Sequence, residues 1–172
     1  NVEQALSASV KHQMAADVPL GAFLSGGIDS SLIVALMQSQ SDQKIRTFSV
    51  GFDDPRYDES EHAAAVAAHL GTEHTTLRAT SQMALEVIPK LPGLYDEPFA
   101  DSSQIPTFLI SSLTREHVTV ALSGDAGDEL FGGYNRYVWV PRVWNKLTLM
   151  PQSMRQTLAR MLKSVPPGGY DR

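Results

Sequence analysis

Two glycine-punctuated stretches hold the residues whose types and spacing could do chemistry. The first is Ser25-Gly26-Gly27-Ile28-Asp29-Ser30. It follows the apolar run Leu20-Gly21-Ala22-Phe23-Leu24 and precedes a segment with Leu32, Ile33, Leu36 and Met37 at helical spacing. A strand that turns through glycines into a helix offers a ligand unpaired N–H groups and the positive end of the helix dipole. Ser25, Ser30 and Ser31 add hydroxyls, and together these features make a phosphate cradle. The turn has neither the Gly-Lys-Ser/Thr ending of a Walker loop nor the three spaced glycines of a dinucleotide fingerprint. The structural alternative for Asp29 is a helix N-cap.

The second stretch runs from Ser123 to Tyr134 and follows the β-branched run Val118–Leu122. Asp125, Asp128 and Glu129 place three carboxylates within five residues. A bare acidic cluster reads as a solvated loop. The glycines at 124, 127, 132 and 133, with Phe131 and Tyr134, are more than solvation requires.

The flanking segments predict the elements that position these turns. Residues 1–16 carry Val2, Leu6, Val10 and Met14 at helical spacing. Strands are expected over Leu20–Leu24, Ile45–Phe52, Glu73–Leu77 and Val118–Leu122. Helices are expected over Ser31–Gln40, Glu59–Leu70 (ended by Gly71), Ser81–Lys90 (stopped before Pro92), Ser102–Arg115, Asn135–Lys146 and Gln152–Lys163. Pro166-Pro167-Gly168-Gly169 reads as a loop. Alternating strands and helices predict an α/β fold, a parallel twisted sheet with helices on both faces. Ligands of such folds bind at the carboxyl ends of the strands, near a topological switch point. If the strands before the two turns are neighbours, both turns open on one crevice. Residues 1–146 are expected to form the core, and 147–172 a helical extension and tail.

With these motifs in view, the chain is similar to known families. The first turn resembles the pyrophosphate loop, Ser-Gly-Gly-x-Asp-Ser, of N-type ATP pyrophosphatases, enzymes of the adenine nucleotide alpha hydrolase-like fold that cleave ATP between the α and β phosphates. The second, with its Asp-Glu-Leu-Phe-Gly-Gly-Tyr ending, resembles the synthetase domain of the asparagine synthetases. Thr47-Phe48-Ser49-Val50-Gly51-Phe52 and the stretch from Tyr95-Asp96-Glu97-Pro98 to Asp101-Ser102-Ser103 extend the likeness over residues 1–145. The resemblance implies that Leu24 and Val50 line an adenine and ribose pocket and that Ser123 and Gly124 contact the ribose through the backbone. Ser25, Gly26, Gly27, Asp29 and Ser30 would hold the pyrophosphate, and Asp29 and Asp128 magnesium. Asp125 stands where better-known members have a glutamate that acts in proton transfer. The implied reaction activates the aspartate side chain with ATP as an acyl-adenylate, then amidates it with ammonia. Other acceptors, a sugar acid or a β-lactam-type acid, stay open, as does a catalytically silent nucleotide-binding module.

The totals bound these expectations. The chain has 172 residues, no cysteine and a formal charge of −5, which excludes disulfides and thiolate chemistry and argues against nonspecific nucleic-acid binding. No apolar run approaches the ~18 residues of a membrane span, so no membrane partner and a cytoplasmic location are expected. Asn1 in place of an initial methionine reads as a domain boundary. No lysine or arginine lies between Lys11 and Lys44, between Lys90 and Arg115, or between Arg115 and Arg136. ATP carries roughly four negative charges, and one like-charge pair at ~4 Å costs about 4 kcal/mol at an effective dielectric of ~20. A divalent ion would turn Asp29 and Asp128 into ligands, so Mg2+-dependent ATP binding is expected.

Three features depart from the family pattern. Asp125 is one methylene short, the glutaminase half with its N-terminal cysteine is missing, and a phosphate-contacting lysine has no counterpart here. Arg78 and Arg136 are the nearest cations, and both read as surface or structural arginines. His12, His62, His69, His74 and His117 show no metal-ligand spacing and read as surface or core residues. Asp96, Glu97, Asp101, Ser102 and Ser103 suit either the amino-acid substrate or a turn before a helix. Tyr137, Trp139 and Trp144 read as packing for a domain interface that lies outside this chain, and Leu147, Leu149, Met150, Met154, Leu158, Met161 and Leu162 are expected to be exposed for the same reason. That exposure predicts association or poor solubility, and a homodimer is among the expected partners.

Overall fold

The computed structural model describes residues 1–54, 56 and 58–163, except the side chain of Leu162. The expected 166–169 loop and the exposure of Leu162 lie outside the described residues. The chain divides into two compact units, Asn1–Asp125 and a second from Ala126 onward.

The first unit is a four-stranded parallel sheet of β1 (Leu20–Phe23), β2 (Arg46–Phe52), β3 (Glu73–Ala79) and β4 (Val120–Leu122), in the order β3-β2-β1-β4. Its helices are α1 (Val2–Gln13), α2 (Ile28–Ser39), α3 (Ser60–Leu70), α4 (Ser81–Val87), α5 (Leu91–Leu94) and α6 (Gln104–Thr114). Period-2 alternation divides the core between the two faces. Ala22 and Leu24 point into one cluster with Val34 and Met37 of α2 and Ala63 and Ala67 of α3. Val50 and Phe52 belong to a second, with Val87 and Leu109 from the α4 and α6 segments. Helices therefore cover both faces, as the alternating pattern predicts. β1 leads through α2 to β2 on one side, while β4 pairs with β1 on the other, Ala22 beside Leu122. The switch point lies between the carboxyl ends of β1 and β4.

On the α3 side, Thr47 and Ser49 are buried polar residues that hydrogen-bond His74. Thr47 Oγ1 is 2.9 Å from its Nδ1 and Ser49 Oγ is 3.2 Å from its Nε2. Partial burial holds His74 below the usual histidine range, and its two hydroxyl partners give it a structural role at the edge of the core.

Several boundaries differ from expectation. α2 begins at Ile28, inside the expected turn, with Gly27 as N-cap, so Asp29 sits in the first helical turn and is not the cap. The Ser81–Lys90 segment leaves α-geometry after Val87, passes through a 3-10 turn over Ile88–Lys90 and re-forms as α5 across Pro92. Proline is tolerated there because the first turn of a new helix has no use for its missing N–H. β4 starts at Val120 because the Val118 N–H turns back to Thr114 O at 3.0 Å.

The second unit contains α7 (Gly127–Phe131), α8 (Asn135–Thr148) and α9 (Gln152–Lys163). α7 stands in a stretch expected to be all turn. Ala126 and Gly132 at its ends are left-handed, φ 72° and 70°. Of the residues expected to form an exposed face, Tyr137, Trp139, Trp144, Leu149, Met154, Leu158 and Met161 are exposed, while Leu147 and Met150 are half-buried.

Candidate functional site

Glycine and serine shape the Ser25–Ser30 turn. Gly26 has φ +85°, and a methyl group there would lie 2.8 Å from the His62 carbonyl carbon and 2.9 Å from Ala63 N. Only glycine fits, because the first turn of α3 presses on the loop. The two hydroxyls tie the loop internally. Ser25 Oγ and Ser30 Oγ are 2.9 Å apart, Ser25 N–H donates to Ser30 Oγ at 3.3 Å, and Gly27 N–H donates to Ser25 Oγ at 3.2 Å. Ser30 Oγ donates to Gly27 O at 3.2 Å. Gly27 makes no side-chain cap bond, so the amides that open α2 have no side-chain acceptor from their own N-cap. Asp29 stands in this first turn, where the helix dipole favours a carboxylate.

The second turn meets the first directly. A methyl group on Gly124 would lie 2.6 Å from Ser30 N and 2.8 Å from the Asp29 carbonyl carbon. The backbone after β4 thus lies against the start of α2. Ser25, Gly26, Gly27, Asp29, Ser30, Ser123 and Gly124 come together at the switch point. Asp125 follows at once and is exposed. Ser123 Oγ donates to Asp125 Oδ2 at 3.0 Å and accepts the Asp125 N–H at 3.4 Å, so this carboxylate is turned back on its own loop.

Of the two expected adenine-pocket residues, Leu24 is only 1% exposed and packs in the core. It offers the site main chain, and its N–H donates to Phe48 O at 2.8 Å. Val50 is half-buried near the end of β2 and packs on the α4–α6 side.

Asp58, Ser60 and the opening of α3 were not singled out by sequence reasoning. Asp58 Oδ1 accepts the Ser60 N–H at 3.0 Å. The Ser60 hydroxyl, the Ser60 and Phe52 backbone amides and the Arg78 charge hold this carboxyl below the usual carboxylate range. Asp58 therefore pins the end of β2 to the first turn of α3, the turn that walls Gly26. The available signal was an aspartate two residues before a helix, a familiar Asx-turn pattern.

A cavity of about 450 Å3 is lined by Tyr95, Asp96, Glu97, Phe99 and Gln104 among others. Asp101 accepts the Ser103 N–H at 2.8 Å, which favours the turn reading for that residue. The Ser103 hydroxyl, then its amide, lower the Asp101 pKa.

In the second unit, the Tyr134 hydroxyl donates to Glu129. That bond is the largest cause of a Tyr134 pKa pushed up to about 12. The Arg136 guanidinium lies 4.1 Å from the Tyr134 ring centroid and 5.7 Å from that of Tyr137, a structural role. Asp128 is partly buried, and its carboxylate occupies the space a Cβ at Gly133 would take, so any side chain there would displace it.

The donor chemistry suits magnesium. Asp29 accepts no hydrogen bond from another side chain among the described residues, so its oxygens are available. No group of three His, Cys, Asp or Glu residues gathers among the described residues. Magnesium on a nucleotide needs only one or two carboxylates, the rest being phosphate oxygens and water. No described helix is long and apolar enough to cross a membrane.

Comparison with known proteins identifies the family and the fold. The Asparagine synthase family profile matches residues 1–167. Asparagine synthetase [glutamine-hydrolyzing] 1 of Bacillus subtilis (strain 168) is 38% identical over 167 residues, covering 97% of this chain and 26% of that protein. Asparagine synthetase B of Escherichia coli (strain K12) is 32% identical, covering 92% of this chain and 30% of that one. The chain thus spans about a quarter of the length of the curated relatives it matches. Among solved structures, the glutamine-dependent NAD+ synthetase of Acinetobacter baumannii in complex with ADP superposes with a TM-score of 0.53 at 22% identity, over 77% of this chain and 27% of that one. That likeness shows the fold, the adenine nucleotide alpha hydrolase-like architecture. Sequence and fold agree, and the chain belongs to the asparagine synthase family.

Proposed function

We propose that this chain is the ATP-binding part of an enzyme that converts aspartate to asparagine. An oxygen of the aspartate side-chain carboxylate attacks the α phosphorus of ATP. The bond from that phosphorus to the bridging oxygen breaks, and pyrophosphate leaves. Ammonia attacks the resulting acyl carbon, gives up a proton, and AMP departs. No protein nucleophile is needed, so the chain's work is positioning and charge stabilisation. The observation that carries the reading is the contact of Gly124 with Ser30 and Asp29, which brings the two motif turns together at the switch point.

In this reading the amides of Gly26, Gly27 and the start of α2, with Ser25 and Ser30, hold the pyrophosphate. Ser123 and Gly124 meet the ribose, and Leu24 main chain and Val50 border the adenine. Asp29 and Asp128 serve as magnesium ligands. Bound there, the ion supplies charge neutralisation of the phosphates. Asp125 accepts the proton released by ammonia. The relatives are named as glutamine-hydrolysing, so ammonia is proposed to come from a glutaminase domain in a longer protein, in the cytoplasm where ATP and aspartate are at hand. A homodimer through the apolar face of α8 and α9 belongs to the same proposal.

The short reach of Asp125 and its bond to Ser123 favour a second reading in which the chemistry is the same and the acceptor acid is different. Pyrophosphate release by the complete protein, with ammonia, Mg2+ and a panel of acids, separates the two. Release only with aspartate is expected. Release only with another acid moves the assignment to that acceptor, and no release with any acid leaves a nucleotide-binding module.

A further inference from the structure

The segment that carries Asp128 is held in an unusual way. α7 has five residues, too few to be stable as a helix by itself. The backbone reverses at both ends, at Ala126 and Gly132, so ties from outside the helix must fix its orientation. One is the Gly133 N–H to Asp128 O bond at 3.0 Å. The other is made by side chains. Tyr134 is the N-cap residue of α8, yet its side chain makes no cap bond. Its hydroxyl reaches back to Glu129, the residue after Asp128. Arg136 lies against the Tyr134 ring at 4.1 Å, which keeps the ring in place from the α8 side and sets a positive charge near Glu129. Glu129 and Arg136 are exposed and Tyr134 is half-buried, so burial of a phenol in an apolar core does not account for the bond.

We propose that Tyr134 is a positioning residue. Its bond to Glu129, braced by Arg136, clasps the start of α8 to α7 and fixes the Asp128 carboxylate for the metal–nucleotide complex. The inference rests on the reading of Asp128 as a magnesium ligand, and the test separates the two claims.

The measurement is binding of Mn2+, a paramagnetic stand-in for Mg2+, to the complete protein with ATP, read by electron paramagnetic resonance, together with the Mg2+ concentration for half-maximal pyrophosphate release. Tyr134→Phe removes the hydroxyl and keeps the ring for Arg136. It is expected to weaken metal binding ~10-fold or more, as loss of an outer partner does, with the melting temperature and metal-free ATP affinity unchanged. Glu129→Ala should match it, and the double variant should be no worse than either single. Glu129→Gln keeps a carbonyl acceptor and should restore most of the affinity. If Asp128→Asn weakens the metal and Tyr134→Phe does not, the clasp is wrong. If neither weakens it, the reading of Asp128 fails and the inference with it. An equal loss of metal-free ATP affinity together with a lower melting temperature in Tyr134→Phe would mark an ordinary stabilising contact and overturn the positioning role.

Discussion

The two motif turns are held by opposite means. The Ser25–Ser30 turn is fixed by main chain packed on main chain. α3 closes on Gly26, Gly124 lies against Ser30, and two hydroxyls tie what is left. The turn that carries Asp128 is fixed by side chains, the half-buried Tyr134 with the exposed Glu129 and Arg136, around a helix of one turn. Main-chain packing leaves no freedom for substitution, because an added methyl group has nowhere to go. A side-chain clasp can be released one bond at a time and leave the unit folded. The first arrangement suits a rigid phosphate cradle and the second a carboxylate whose aim is tuned.

Substitutions that separate these two modes should differ in both size and character. Gly124→Ala should have the largest effect, since its methyl group would meet Ser30 N at 2.6 Å. Overpacking of this kind costs about 1–3 kcal/mol, and displacement of a positioned loop costs roughly two orders of magnitude in rate. Thermal unfolding and ATP calorimetry should both register it. Wild-type affinity in Gly124→Ala would break the idea that the two turns form one site. Asp29→Asn comes next. It should abolish most of the advantage Mg2+ gives ATP binding, by at least the ~10–100-fold that loss of an outer partner costs a metal site, with the melting temperature little changed. Equal ATP affinity with and without Mg2+ in the wild type would remove the metal role altogether. Ser30→Ala follows, with a loss of about 1–2 kcal/mol of stability and a matching loss of ATP affinity. Tyr134→Phe is expected to change metal binding without changing stability, and that pair of results is the sharpest form of the contrast.

The same contrast explains what the sequence made legible. Main-chain packing leaves glycines, and glycines at fixed offsets after an apolar run are visible in the one-dimensional chain. Gly26 and Gly124 could be placed for that reason, and the β1–β4 pairing then brought them together as the parallel-sheet pattern predicts. Element boundaries were less visible where a local cap or a first-turn proline resets the start of a helix. α2 starts at Ile28, in the middle of a turn signature, and α5 runs over Pro92. The side-chain ties were hardest to see. The turn from Asp58 to Ser60 is local and leaves a signal, but the approach of Phe52 and Arg78 to Asp58 comes only with folding. Leu24 matched a pocket position by motif, but it lies one residue past β1 and two beyond the buried Ala22, in extended backbone that turns its side chain into the same core cluster.

Asp58 offers the smallest expected effect and a test of whether the α3 wall belongs to the main-chain mode. Ser60, Phe52 and Arg78 together hold the Asp58 carboxyl below its ordinary value of 3.8. A carboxylate with a depressed pKa contributes stability above its unfolded pKa and loses that contribution as pH falls through the folded value. Asp58→Asn should therefore melt below the wild type at pH 7, and the gap should close as pH drops below about 4. If Asp58 only decorates the surface, ATP affinity will not follow the melting temperature. If it seats α3 against Gly26, affinity should fall roughly two- to tenfold, the range of coupling carried through a contiguous contact. That loss should be the same with and without Mg2+, because Asp58 shapes the cradle and not the metal ligands. A Mg2+-dependent loss would move Asp58 into the same class as Tyr134, and the division between the two turns would no longer hold.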